Sequence, residues 1–413
     1  MTRARITLKP AAAEIFRSPA KNKIVLSGRR FGKTMLLLAI CMQKALSKPG
    51  AQIHYMAPSR KMARDIAWRT LKQQCPPNWT RNVYESTLSI EFNNGSLIRL
   101  GGLDYADSTR GQTSDLICLD EFCYASRLKE SYQAALLPML ATTDGETIFA
   151  STPAGGGNFA QELWEQAATA DNWERWNYPS VAGGWISPEW IERQRKLLDP
   201  VLFRQEFWGT WEQLVGAVFG TFSDKNISKQ VDMGGSILVG LDFNVSPLTA
   251  VICQVQGSNI AVLDELVLYD SDTRAMCQAL RTRFPTREVI VCPDPTGSRR
   301  QTQGVGLSDH GILKKMGGFK LATPNAPWRV RDKINAIRLL IQSADGERRL
   351  QIDPRCKTLI RALRSIEFEP GRPHYDKRSQ WGHVIDALGY MALATTKGLL
   401  PYRLGLSDFK ITS

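Results

Sequence analysis

Apolar residues fall into two rhythms along this chain, and each predicts a different kind of element. Short apolar runs bounded by glycine, proline or polar clusters predict buried strands at residues 23–26, 52–57, 116–119 and 147–150. Longer stretches with helical spacing lie between them. They predict an apolar helix from Thr34, a helix from the N-cap candidate Ser59 to about Gln74, and another near 126–137. Residues 88–92 and 96–100 flank Asn93-Asn94-Gly95, which predicts a hairpin. Strands alternating with helices indicate a mostly parallel sheet covered on both faces. From residue 154 the pattern changes to a glycine cluster at 155–157 and then Trp164, Trp173, Trp176, Trp185 and Trp190, read as a small helical subdomain.

A second α/β pattern begins at residue 236. Strands are predicted at 237–243, 249–254, 260–268 and 288–292, and helices at 273–283, 331–343, 355–365 and 383–395. Three consecutive strands, then strands alternating with helices, follow a ribonuclease-H-like order. The expected division is residues 1–210 as the first domain, with the helical subdomain at about 154–210. Residues 211–235 are read as a linker, 236–400 as the second domain, and 401–413 as a short C-terminal tail. No internal repeat, heptad pattern or low-complexity tract is visible.

Composition adds a partner class. The 413 residues are 43% apolar and 23% charged, as in a soluble globular protein, with a net charge of +13. That balance points to a polyanion, nucleic acid before membrane, although a solvated basic surface has the same composition. The eight cysteines form no Cys-x-x-Cys and there are only four histidines, which weighs against zinc. Cysteines scattered in apolar surroundings suit a reducing compartment. The apolar run 35–42 is too short to span a bilayer, and Arg3, Arg5 and Lys9 precede no signal-peptide core. A cytoplasmic protein is expected.

The first half carries phosphate chemistry. Ser27-Gly28-Arg29-Arg30-Phe31-Gly32-Lys33-Thr34 sits between a predicted strand and a predicted helix. Backbone N–H groups of such a loop cradle phosphates, a lysine reaches the β/γ-phosphates and a hydroxyl binds Mg²⁺. Ser27 stands where the motif has its first glycine. Asp120 and Glu121 follow a buried strand, where the aspartate can hold Mg²⁺ and the glutamate can orient or deprotonate water. The Asp-Glu pair favours ATP over GTP. Ser151-Thr152-Pro153 closes another buried strand, a position that senses a γ-phosphate but is also a common turn. Arg29 or Arg30 could stabilise charge on the transferred phosphoryl group. The alternatives are a surface arginine or one paired with Glu121 or Asp120.

The second half carries three spaced aspartates. Asp242 lies on the first strand, Asp294 just past a strand end, and Asp386 on an apolar helix. Brought together, they would bind two Mg²⁺ or Mn²⁺ ions and support phosphodiester cleavage. Each taken singly is more often a cap or a salt-bridge partner. Glu265 is a possible fourth carboxylate or a solvent-facing strand residue, and His383 lies one helical turn before Asp386. Lys357, Arg361 and Arg364 share one helix face opposite Leu359, Leu363 and Ile366, which suits a DNA backbone or plain solvent. Arg299-Arg300 and Arg348-Arg349 add to the same half.

The chain resembles the large terminase subunit of tailed double-stranded DNA bacteriophages. The resemblance rests on residues 27–34, Arg110-Gly111, 116–121, 151–153, 240–244, 293–295 and 383–390, in order over nearly the whole chain. It implies an additional-strand, RecA-like ATPase domain joined to a ribonuclease-H-like endonuclease. It also implies a motor that pumps DNA into a procapsid and cuts concatemers. ATP and Mg²⁺, with Mn²⁺ for the nuclease, are the implied cofactors. The implied partners are double-stranded DNA, the portal protein, a small terminase subunit and further copies in a ring, usually of five. The implied location is the cytoplasm of the infected host, transiently at the portal vertex and not in the mature virion. Residue by residue, Lys33 and Thr34 match the phosphate and Mg²⁺ ligands, and Arg29 matches the loop arginine. Asp120 matches the Walker B aspartate, Glu121 the catalytic glutamate, 151–153 the coupling motif, and Asp242, Asp294 and Asp386 the nuclease triad. Arg110 is the candidate finger for a neighbouring subunit. The family's adenine-reading glutamine has no counterpart at residues 9–13, and any capsid-docking tail is expected to be short.

Overall fold

The computed structural model of the chain describes residues 6–155, 158–212, 216–244, 246–256, 259–298, 307–324, 327–369, 374–375, 381–397 and 399. Arg3, Arg5, Gly156, Gly157, Arg299, Arg300 and the tail 401–413 lie outside the described residues. The chain divides into two compact units, residues 1–192 with 203–213, and residues 193–202 with 214–413.

The first unit is built on eight strands: β1 (Asn22–Ser27), β2 (Gln52–Ala57), β3 (Thr80–Tyr84), β4 (Ser89–Phe92), β5 (Leu97–Gly102), β6 (Leu116–Asp120), β7 (Glu146–Ser151) and β8 (Trp173–Tyr178). Their order in the sheet is β3-β4-β5-β2-β6-β7-β1-β8. The hairpin β4–β5 is antiparallel, while β5, β2, β6, β7, β1 and β8 run parallel. Side chains alternate between two covered faces. Val25, Cys118 and Ile148 enter one core, and Ile24, Leu26, Leu119 and Phe149 the other. That explains the nearly unbroken apolar runs of these strands. β7 lies between β1 and β6, so one additional strand separates the glycine loop from Asp120. This is the additional-strand P-loop fold.

Within the tryptophan-rich segment, Trp173–Tyr178 is a strand, not a helix. It is an edge strand with only Trp176 buried, so it lacks the apolar run of its neighbours. Helices Phe159–Gln166 and Pro188–Arg195 flank it in sequence.

A buried polar group links β2 to the loop that carries Arg110. The ring nitrogens of His54 meet Ser114 Oγ at 2.9 Å and Gln112 Oε1 at 3.1 Å. Burial pushes the His54 pKa down from 6.5 to about 4. The unfolded chain therefore binds an extra proton between those values. The contribution is full above the unfolded pKa and is lost as pH falls through the window. His54→Gln is expected to lose less stability than the parent between neutral pH and pH 4, by up to about 3 kcal/mol in denaturant titrations.

The second unit contains β9 (Ile237–Asp242), β10 (Leu248–Gln256), β11 (Asn259–Leu268), β12 (Val289–Pro293), β13 (Lys320–Leu321) and β14 (Leu350–Ile352). The order is β13-β12-β9-β10-β11-β14, with β9, β10 and β11 an antiparallel meander and β12 parallel to β9. Helices Val330–Ile341, Lys357–Ser365 and Gly382–Thr396 contribute to one core, and helices Thr273–Arg283 and Asp309–Lys315 to the other. This is the ribonuclease-H-like arrangement. Val218 and Phe219 are fully buried in the first of these cores. Asn226 donates to Ile341 O and Leu350 O at 3.0 Å each. No described helix is long and apolar enough to cross a membrane.

Candidate functional site

In the first unit, three parallel strand ends deliver the polar groups. β1 ends in Ser27, β6 in Asp120 and β7 in Ser151. The loop after β1 crosses to helix Lys33–Ser47 through Gly32 at φ +106° and Arg30 at φ +62°. The left-handed region is open to glycine and costs other residues strain. Gly28 has no room for a side chain: a Cβ there would lie 2.3 Å from Ser180 Oγ and 2.4 Å from Phe207 O. Phe31 is fully buried and stacks on Tyr178, with ring centroids 5.4 Å apart.

The Lys33 ammonium sits at the centre of this group. It donates to Thr152 Oγ1 at 2.9 Å, lies 3.5 Å from Ser27 O and Gly28 O, and is 4.0 Å from Glu121 Oε1. Burial pulls its pKa down, against the carboxylates of Glu121 and Asp120. Thr34 Oγ1 donates to Asp120 Oδ2 at 2.6 Å, and the Tyr55 hydroxyl donates to the same oxygen. Asp120 is fully buried; burial raises its pKa, and the Thr34 and Tyr55 hydroxyls and Lys33 oppose the rise. Glu121 leaves the strand at φ +51°. Its N–H donates to Ala150 O at 2.8 Å, and its Oε2 accepts from Ser151 Oγ at 3.3 Å. Burial raises the Glu121 pKa while Lys33 lowers it. Lys33, Thr34, Asp120, Glu121, Ser151 and Thr152 therefore form one connected cluster.

Arg29 is engaged elsewhere. It pairs neither with Glu121 nor with Asp120: its Nε donates to Glu206 Oε2, and its N–H donates to Glu206 O at 2.7 Å. The Glu206 side chain is 9% exposed and the Arg29 side chain 61%. Glu206 carried no signal in the sequence, because it lies 177 residues from its partner in a segment without a motif. Arg30 is exposed. Arg110 is also exposed and pairs with Asp107.

In the second unit, β9 and β12 lie side by side and end together. Asp242 closes β9, and the Asp294 N–H donates to Leu241 O at 3.0 Å. Helix Gly382–Thr396 can approach β9 because Gly240 has no side chain; a Cβ there would lie 2.0 Å from Ala387 O. That contact brings Asp386, the residue before Ala387, to the strand ends. Burial, together with the negative charges of Asp294, Asp386 and Asp242 nearby, drives the Tyr390 pKa far up. The three predicted aspartates thus converge. Each is held by its own partner. His383 Nδ1–H donates to Asp242 Oδ2 at 2.9 Å, while its Nε2 accepts from the Asn244 amide at 2.9 Å. Thr296 N–H donates to Asp294 Oδ1 at 2.9 Å. Asp386 Oδ1 accepts from Lys333 Nζ and from the Tyr375 hydroxyl, the latter at 2.6 Å. Burial raises the Asp242 pKa and Asp386 adds to the rise, whereas His383 lowers it.

Among the described residues, no three His, Cys, Asp or Glu side chains stand in ready metal-binding geometry. Hard oxygen donors on converging carboxylates nevertheless fit Mg²⁺ or Mn²⁺ by type. The repulsion between Asp242 and Asp386 is of the kind a cation relieves. In the glycine-loop cluster of the first unit, the buried Asp120 carboxylate bonded to the Thr34 hydroxyl is a donor pair suited to Mg²⁺.

Two sequence alternatives are settled by contacts. Glu265 is a helix cap: its oxygens accept from Thr358 N–H at 2.7 Å and Leu359 N–H at 2.8 Å. Arg348 and Arg349 are internal braces, donating to Thr221 O and Lys196 O respectively. Lys357, Arg361 and Arg364 do form an exposed face opposite buried Leu359, Leu363 and Ile366.

An additional-strand P-loop unit followed by a ribonuclease-H-like unit with converging aspartates defines an ATPase–nuclease class of architecture. Residues 24–223 match the family model described as terminase large subunit, T4likevirus-type, N-terminal. The chain is 24% identical over 398 residues to the large terminase subunit of Escherichia phage T5, covering 90% of this chain and 86% of that one. It is 29% identical over 146 residues to tripartite terminase subunit 3 of Human herpesvirus 8 type P, covering 32% of this chain and 20% of that one. The large terminase of a thermophilic bacteriophage shares the fold with a TM-score of 0.61 at 15% identity, covering 94% of this chain and 98% of that one. Residues 24–223 thus match the terminase large-subunit family model, and over most of its length the chain is similar to a phage large terminase.

Proposed function

We propose that this chain is an ATP-driven motor that translocates double-stranded DNA into a procapsid and cuts concatemeric DNA with its second unit. One observation carries the reading: two separate reaction centres, a phosphate loop with Asp120 and Glu121 and a convergence of three aspartates, stand on one chain in the terminase order. The thermophilic phage's large terminase has been solved in complex with ATP-γ-S, which supports a nucleotide at the corresponding loop here.

In the first unit, Lys33 and the loop N–H groups receive the phosphates, and Thr34 and Asp120 hold Mg²⁺. Glu121 orients and deprotonates the attacking water, and Ser151 and Thr152 register whether the γ-phosphate is present. In the second unit, Asp242, Asp294 and Asp386 would hold two divalent ions, which would supply activation of water and stabilisation of the leaving oxygen. His383 orients Asp242, and the basic face of Lys357, Arg361 and Arg364 follows the DNA backbone. The partners of this reading are the portal protein, a small terminase subunit and further copies in a ring. Its setting is the cytoplasm of an infected host, at the portal vertex. The decisive experiment measures ATPase and plasmid nicking by the full chain, each with and without DNA and Mn²⁺. DNA-stimulated ATPase together with metal-dependent cutting supports the proposal. ATPase without cutting would leave a translocase with an inactive second unit.

Arg29 is assigned to the transition state of this reaction. Its exposed guanidinium is tethered to Glu206, and in this reading it exchanges that carboxylate for a phosphoryl oxygen. Arg29→Ala is expected to lower turnover about 10²–10³-fold and nucleotide affinity far less, because charge develops mainly in the transition state. Steady-state kinetics beside fluorescent-nucleotide titration checks this. Equal losses in both would reject the role.

A further inference from the structure

We propose that the Lys333 ammonium is a resident counter-cation of the aspartate cluster, and that a divalent metal must displace it from Asp386 to load the site. The inference rests on the nuclease reading above and goes beyond it. Lys333 is 2% exposed and Asp386 7% exposed, although lysine is rarely buried unless paired. The two come from different helices, Val330–Ile341 and Gly382–Thr396.

The path of the lysine is built into the second helix. Gly389 stands three residues beyond Asp386, and a Cβ there would lie 2.9 Å from Lys333 Cβ, 3.0 Å from Cδ and 3.2 Å from Cγ. Any other residue would press on the stem that delivers the ammonium. The next residue, Tyr390, offers its ring 4.4 Å from Lys333 Nζ and lies within electrostatic reach of Asp294. The ammonium therefore sits between an aromatic face and Asp386, beside a hydroxyl that senses all three aspartates. An ordinary core ion pair needs none of this convergence.

Charge accounting gives the consequence. Buried carboxylates brought together repel one another unless a cation is present. Without metal, Lys333 supplies one positive charge, and Asp386 Oδ1 is already occupied by Lys333 and Tyr375. A metal that takes Asp386 competes with the ammonium for that carboxylate. The lysine thus stabilises the metal-free unit and weakens metal binding in the same measure.

The test is Mn²⁺ binding by the full chain, followed by calorimetry and by electron paramagnetic resonance of free Mn²⁺, alongside thermal unfolding. Lys333→Met keeps the stem and removes the charge. It is expected to bind Mn²⁺ about tenfold tighter, the ratio set by removing one competing charge contact, and to melt lower than the parent without metal. Mn²⁺ should restore more of its melting temperature than it adds to the parent. Lys333→Met affinity within twofold of the parent, or weaker, would overturn the proposal. A crystal structure of the parent with Mn²⁺ reads the same point without any variant. Lys333 Nζ moved off Asp386 supports displacement, and Nζ retained on it with the metal bound refutes it. Asp294→Ala and Asp386→Asn serve as separate controls. If both bind Mn²⁺ like the parent, the nuclease reading itself fails, whatever Lys333 does.

Discussion

Glu121→Gln is expected to retain nucleotide and lose ATP turnover by about 10²–10⁴-fold, the cost of removing one positioned general base. The geometry makes this substitution clean. Glutamine is the same size, can still accept from Ser151 Oγ, and leaves the Lys33–Thr152 and Thr34–Asp120 bonds intact. Two things change. The amide cannot take a proton from water, and the negative charge 4.0 Å from the Lys33 ammonium disappears. The second change leaves Lys33 with more unmatched positive charge, so affinity for anionic phosphates should hold or rise. Phosphate release and fluorescent-ATP titration measured side by side separate the two effects. Turnover within twofold of the parent, with unchanged melting temperature, would remove Glu121 from the reaction.

The parts of this site that could be read from the sequence are those fixed by local chemistry. A glycine loop between an apolar strand and an apolar helix has few other uses, and the Asp120-Glu121 pair marks a strand exit. Both landed where the sheet order requires. The same holds for Asp242 and Asp294, which occupy neighbouring strand ends. Asp386 needed a helix face to be aimed correctly, and Gly240 supplies the close approach that does so. What sequence reading missed is long-range and carries no period. Glu206 reaches Arg29, and Lys333 reaches Asp386 53 residues away, through contacts that only folding creates. In the sequence the arginine pair at 348–349 counts with the basic residues of the second half, because charge alone cannot separate a solvated guanidinium from one that braces backbone carbonyls. β8 escaped because an exposed edge strand needs no apolar run.

Loss of Asp294 or Asp386 is expected to abolish plasmid cleavage in Mg²⁺ or Mn²⁺ while ATP hydrolysis continues. The two centres are built from separate sheets in separate compact units, so their defects should separate. The choice of substitution matters. Asp386→Ala would leave the buried Lys333 ammonium without its partner, a change of the kind that costs about 3–5 kcal/mol. Its loss of cutting could then reflect unfolding. Asp386→Asn keeps the shape and a neutral acceptor for both Lys333 and Tyr375, and Asp294→Ala removes a carboxylate held by the Thr296 backbone N–H. Both should fold, bind Mn²⁺ more weakly and fail to cut. The full chain is the right material. A fragment starting near residue 230 would omit Val218, Phe219 and Asn226, all fully buried in the second unit. Unfolding curves, Mn²⁺ titration, plasmid nicking and phosphate release on the same preparations give the answer. If Asp242→Ala combined with Asp386→Asn cuts as fast as the parent, cleavage arises elsewhere and these three aspartates serve the fold alone.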